Sequence, residues 1–191
     1  MKELNRREFL TLTGAAVVAL SLAGCGGPSA PPAPPAVPTG KEADLLAAIN
    51  RVWKEKYNTK AVDHEQLTLN QEAQGAIKIQ GGIFEDAQNP VRTLTTEDMK
   101  KLVEIKTWEI SMKKKYDLGG AAGFSEPTGE EGNMEVSLTF KYSCEDAVVQ
   151  KFVDKILDYS LSRKAEYISI YLPVVQGTTY MIATVFWNKT A

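Results

Sequence analysis

The chain has 191 residues, 22 basic against 24 acidic for a net charge of −2, with two cysteines and one histidine. That balance excludes a general nucleic-acid or anionic-surface binder, and so few cysteines exclude a fold held by disulfides. A single histidine means that any His-dependent catalysis has to pass through one residue, His64.

The first twenty-five residues carry an address. Lys2, Arg6 and Arg7 form a basic n-region, and Leu12 to Leu22 is a mostly apolar run. It is too short for a bilayer-spanning helix of about 20 apolar residues and reads as a signal peptide over 1–24. Asn5-Arg6-Arg7-Glu8-Phe9-Leu10 resembles the twin-arginine (Tat) export motif, with Arg6, Arg7, Phe9 and Leu10 in register. Leu22-Ala23-Gly24-Cys25 resembles the lipobox of bacterial lipoproteins, which implies that the Cys25 thiol takes the lipid. Two or more acyl chains would hold the protein stably on a membrane, each buried CH₂ contributing about 0.8 kcal/mol. The expected location is therefore the extracytoplasmic face of the cell membrane, by a lipid anchor.

Residues 25–40 are the lipidated cysteine and a Pro/Ala/Gly-rich linker, which favours polyproline II and acts as a spacer of a few tens of Å. One globular domain is expected over 41–191, of ordinary size and able to fold without staples. With Cys25 lipidated, Cys144 stands alone, and a half-buried, inert thiol is expected. Export of an already folded protein, implied by the Tat resemblance, agrees with a domain that needs no disulfide.

In chain order, Thr39 to Glu42 has capping-box spacing, and Leu45, Leu46, Ile49, Val52 and Trp53 predict a helix over 41–56. A second helix is predicted over 70–80 with Ala73, Ala76 and Ile77 inward, stopped by Gly81-Gly82. Thr95 to Asp98 caps a third helix carrying Met99, Leu102 and Val103. Trp108, Ile110 and Met112 alternate like a strand, although helix continuation is open, and Lys113-Lys114-Lys115 reads as a solvated face. Residues 119–132 read as a loop without the Gly-Lys-Ser/Thr ending of a phosphate site. Met134 to Tyr142 alternates as a strand, Ser143 to Asp146 resembles a cap, and Val148 to Leu157 is a strongly amphipathic helix. Tyr167–Leu172 and Thr179–Trp187 predict a closing antiparallel hairpin around Gln176-Gly177. The expected class is α+β, an α/β/α layered sandwich with a small, mainly antiparallel sheet.

This order of elements resembles the CAP (SCP-like) superfamily of secreted domains. The resemblance rests on Leu46-Ala47-Ala48-Ile49-Asn50-Arg51, on Leu67-Thr68-Leu69-Asn70 with Ala73 and Ala76, and on Glu135 ahead of Glu145-Asp146-Ala147-Val148 with Phe152. The hairpin, Tyr167 to Ile170 and Tyr180 to Trp187, completes it. It implies one sheet holding 134–142 and the hairpin, between helices 41–56, 70–80 and 146–158. It also implies a cleft with two histidines and two glutamates, some members binding a divalent metal. Here 83–90 and 157–162 contain no histidine, Lys155 stands about where the second glutamate belongs, and only Glu135 remains as a candidate cleft residue. One carboxylate is no metal site, so neither metal nor cofactor is expected.

His64-Glu65 begins like H-E-x-x-H, but Thr68 occupies the second histidine's place, and His64 is expected at the surface. The pairs Glu130-Glu131 and Glu145-Asp146 fit loops and helix starts. The sequence thus points to a membrane-anchored lipoprotein with a non-catalytic binding domain, whose partner is a cell-wall component, an envelope protein or an apolar ligand. The alternatives are a cell-wall-acting enzyme or accessory factor, favoured by location alone, and a small apolar-ligand carrier.

Overall fold

The computed structural model describes residues 40–70, 72, 74–98, 100–101, 112–129 and 133–189. The export signal, Cys25 and the spacer up to residue 39 lie outside them. So do Thr39, Ala73, Met99, Leu102, Val103, Trp108, Ile110 and the Glu130-Glu131 pair.

Helix α1 spans Lys41–Asn58 and buries Leu45, Ile49, Val52 and Trp53, the stripe its spacing predicts. It ends two residues later than expected. The Thr59 hydroxyl donates to the carbonyls of Glu55 and Lys56, and Lys60 turns the chain with φ 62°. Strand β1 is only Thr68–Leu69.

Helix α2 spans Gln74–Ala87 and runs through Gly81-Gly82 instead of stopping there. Packing overrides the local signal. Gly81 lies under the Tyr171 ring, where a Cβ would fall within 2.6 Å of Cε1. The next turn buries Ile83 and Phe84, so ending the helix at Gly81 would forfeit two core side chains. After strand β2, Val91–Thr93, the expected cap is present and reciprocal. Thr95 N–H donates to the Asp98 carboxylate at 2.8 Å, and Asp98 N–H donates to the Thr95 hydroxyl at 3.1 Å. Residues 96–98 and 100–101 are helical.

Strand β3, Tyr116–Ala122, replaces most of the first part of the expected 119–132 loop. Its two glycines form a bulge. Leu118 faces Phe186 and Ala121 faces Thr184, so the pairing gains one residue between them. The expected strand 134–142 shrinks to β4, Glu135–Ser137, with single bridges from Leu138 to Phe124 and from Lys141 to Tyr180. Its alternation survives, with Met134, Val136 and Leu138 buried.

Helix α3, Asp146–Leu157, buries Val149, Phe152, Val153 and Ile156 completely. Each contributes about 2 kcal/mol of apolar burial. Its expected Ser143 cap is not formed: Glu145 is the N-cap, and Ser143 Oγ accepts from Glu145 N–H instead. A 3₁₀ turn, Ser160–Lys164, leads into strands β5 (Tyr167–Tyr171), β6 (Val174–Val175), β7 (Thr178–Thr179) and β8 (Ile182–Asn188). The expected hairpin forms, with β5 and β8 antiparallel and a small β6/β7 ribbon turning at Gln176-Gly177.

The main sheet has the order β1-β5-β8-β3, parallel only between β1 and β5. Helices α1 and α3 cover one face over Ile168, Ile170, Ala183 and Val185. Helix α2 covers the other over Ile182 and Phe186, with a second two-stranded sheet, β2 and β4 antiparallel, contributing Val136 beside it. The domain is α+β, three layers deep. The CAP resemblance implied that the whole 134–142 run joins the hairpin's sheet; only its end, Phe140 to Tyr142, reaches the hairpin, at 179–181, while β4 pairs with β2 because Val136 and its neighbours fill the α2-side core.

Candidate functional site

A groove of about 980 Å³ runs along β3, the long edge strand of the main sheet. Its floor is Asp117 to Ala121. One wall is the end of α3 and the 3₁₀ turn, with Lys155, Asp158, Tyr159, Leu161 and Lys164. Asp63, His64, Glu166, the end of β8 and Phe124 to Glu126 complete the lining, with Asp63 tied to the 3₁₀ turn through its N–H, which donates to the Arg163 carbonyl. The volume stands at the upper end of the range for small-molecule sites.

Why the groove exists is a matter of close packing. Gly120 lies against the last turn of α3, where a Cβ would overlap the Ile156 carbonyl oxygen. Gly120 N–H donates to Ser162 Oγ at 2.7 Å, and Ser162 is fully buried. This contact holds the 3₁₀ turn against the bulge. The turn's outward side chains are then left in solvent: Tyr159 is 47 % and Leu161 44 % exposed, two of the largest apolar groups at the surface. Elsewhere apolar side chains of this size are mostly in the core, so a pair flanking a groove marks a contact surface.

The lining carries both signs of charge. Lys155 donates to Asp158 at 2.8 Å, and that hydrogen bond holds its ammonium above the ordinary lysine pKa. Arg163 donates to Asp63 at 2.8 Å just behind the wall. His64 Nε2 stands 3.9 Å from Glu166 Oε1, both partly exposed. The His64 carbonyl accepts from Trp53 Nε1–H at 3.0 Å, so the end of α1 fixes where this histidine sits.

The expected site residues are dispersed. Glu135 is exposed on β4, where its main chain exchanges hydrogen bonds with Thr128, and it does not line the groove. Cys144 is half-buried as expected, two residues before α3, and its thiol shares a hydrogen bond with the Tyr142 hydroxyl at 3.3 Å. That contact, with burial, pushes the Tyr142 pKa up to about 12. Cys144 and His64 do not meet: the groove includes His64 and not Cys144. Among the described residues, no group of three or more His, Cys, Asp or Glu side chains could hold a metal, and no helix is long and apolar enough to cross a membrane. Cys25 and the export motif lie outside the described residues.

Sequence reasoning missed Tyr159, Leu161, Lys155 and the double glycine as parts of one site. A signal was present: Tyr159-Ser160-Leu161 sets two large apolar residues just past the end of a helix whose own stripe is already complete. Compared with protein-family models, curated proteins and solved structures, the chain matches none.

Proposed function

We propose that this chain is a lipid-anchored lipoprotein of the extracytoplasmic membrane face whose domain binds an envelope partner in the β3 groove. The observation that carries the reading is the groove itself, flanked by exposed Tyr159 and Leu161 and rimmed with both charges. Such a lining suits a polar partner with some apolar surface better than a purely apolar ligand. The anchor motif supports the location. The tether enters at Lys41, whose ammonium donates to Thr179 at the tip of the hairpin, while Asp63 and His64 follow the other end of α1. That helix is about 27 Å long, so the His64 side of the groove is turned away from the point of attachment.

Two measurements test this. Replacing Cys25 by Ser is expected to abolish incorporation of a fatty-acid label and to release the chain from the membrane fraction. A photo-crosslinking residue at position 161, introduced in cells, is expected to capture an envelope component that the same residue at exposed Lys54 does not. Equal labelling at both positions, or none at either, overturns the binding reading.

One observation favours a cell-wall-acting enzyme instead: the only histidine faces a carboxylate, Glu166, inside the groove. Peptidoglycan or peptide hydrolysis that His64→Ala abolishes would move that reading first.

A further inference from the structure

A pocket on one face of a β-strand touches every second residue, because successive side chains point to opposite faces. The β3 groove is bordered by five in succession, Asp117 to Ala121. The bulge accounts for part of that run; the rest follows from Gly120 N–H, which is turned away from β8 toward the 3₁₀ turn that walls the groove, so the groove runs along the outer edge of the strand. Two of the five are glycines, which add no side chain between backbone and groove. On its other side β3 pairs with β8 on both flanks of the bulge, at Tyr116 to Leu118 and at Ala121-Ala122, and among the described residues no strand pairs with its outer edge. One outward group, Gly120 N–H, is already taken by Ser162 Oγ; this pins the bulge and leaves the stretches on either side of it.

We propose that the groove takes an extended peptide segment of a partner protein, added as a further strand along β3. This rests on the binding reading above and names the class of partner. A main chain offers alternating donors and acceptors at the strand repeat, which is what a strand edge requires. The lining carries carboxylates at Asp117 and Glu126 and ammonium groups at Lys164 and Lys189, so it complements a segment of mixed charge and not a polyanion. Tyr159 and Leu161 then meet its apolar side chains. A second folded copy fits less well. The edge lies at the floor of the groove, and a copy pairing there would drive its own helices into the Tyr159–Leu161 wall. A lone strand needs only about 4.8 Å.

The test uses the full lipidated chain in phospholipid nanodiscs and a displayed library of random 12-residue peptides. Selection is run against the wild-type chain with Ala121→Trp as the counter-target, since Ala121 lines the groove without being buried. Leu161→Arg, on the exposed wall, serves as a second counter-target if the tryptophan disturbs the strand. The expected result is a peptide that slows hydrogen exchange of the amides at 117–121 and loses roughly tenfold or more in affinity when alternate residues are N-methylated in one register, but not in the other. Binding that ignores methylation in both registers, or protection confined to other segments, overturns the strand-addition proposal and leaves the binding reading standing. Muropeptides that bind wild type but not Ala121→Trp, with no peptide selected, do the same. If neither class binds, both readings fall.

Discussion

The main sheet ends in two unlike edges. At β1 the strand is two residues long, and α1 caps the chain at Leu67, the residue just before it. Leu67 N–H donates to Asn50 Oδ1 at 2.7 Å and Asn50 Nδ2–H donates to Leu67 O at 3.0 Å, so one side-chain amide stands where a neighbouring strand's peptide group would be. At β3 the edge is seven residues long, interrupted by a bulge, and lies along an open groove. Asn50 satisfies the outward groups of Leu67 at the start of the short edge, whereas among the described residues no strand lies along the longer one, so the two edges are treated differently. Exposed strand edges are a liability in proteins unless something uses or covers them. That contrast is the physical ground for assigning the groove to a partner.

The largest effect is expected where the cap at Leu67 is removed. Asn50→Ala leaves both main-chain groups of Leu67, itself 2 % exposed, without partners. Each orphaned buried group costs about 1–3 kcal/mol, so a loss of about 3 kcal/mol in urea unfolding is expected. A loss below about 1 kcal/mol would mean that water replaces the amide at Leu67 and that Asn50 does not close the chain there. The groove should bind as before in the surviving folded fraction.

Next comes the bulge on the open edge. Gly120→Ala drives a Cβ into the Ile156 carbonyl at the end of α3, and the helix end or the strand has to move. Overpacking of this kind costs about 2 kcal/mol. Unlike Asn50→Ala, this change is expected to lower both stability and partner capture, because it displaces the floor of the groove. Stability falling while capture stays intact would separate the bulge from the site.

These two residues also show what was legible in the sequence. Helices α1 and α3 and the closing hairpin were readable because their apolar periods run unbroken: Leu45-Ile49-Val52, Val149-Phe152-Val153-Ile156, and Ile168-Ile170 against Ala183-Val185. Strand β3 was not, since Gly119-Gly120 break its alternation and carry, in isolation, the signature of a loop. The reason for Gly120 lies in residues 36 and 42 positions away, Ile156 and Ser162, and that for Gly119 in Val185, none of which a local pattern contains. Gly81 misled in the same way, its partner being Tyr171. The Asn50-Arg51 pair, part of the family resemblance, has long-range partners that no local pattern contains: Asn50 holds Leu67, and Arg51 Nη2 reaches Asp146 at 2.6 Å. The site was the least readable part, because His64, Ser125 and Tyr159 come together only when the sheet orders their segments.

Ser162→Ala should act more mildly than Gly120→Ala. It removes the acceptor for Gly120 N–H, in a residue that is fully buried, and leaves the packing of the 3₁₀ turn in place. About 1 kcal/mol is the expected loss. Hydrogen exchange at Gly120 reads it directly: the amide should speed up well beyond what global destabilisation explains. If Gly120 stays as protected as before, another group holds the bulge, and the 3₁₀ turn is not what positions the groove wall.

The smallest effect on stability should fall on the wall itself. Leu161 is 44 % exposed and projects from a turn held by Ser162, not by Leu161's own contacts. Replacing it by Ser removes apolar surface that folding never fully buried, so stability should move by no more than about 0.5 kcal/mol. Partner capture in the groove should nevertheless weaken severalfold, since that surface is lost only from the bound state. Asn50→Ala predicts the opposite pair of outcomes, unstable but still binding. Measured together, the two variants form a cross-over that a merely structural groove cannot produce. Were Leu161→Ser to cost as much stability as a core truncation, the leucine would belong to the packing of α3 against β3, and the open edge would be a by-product of that packing.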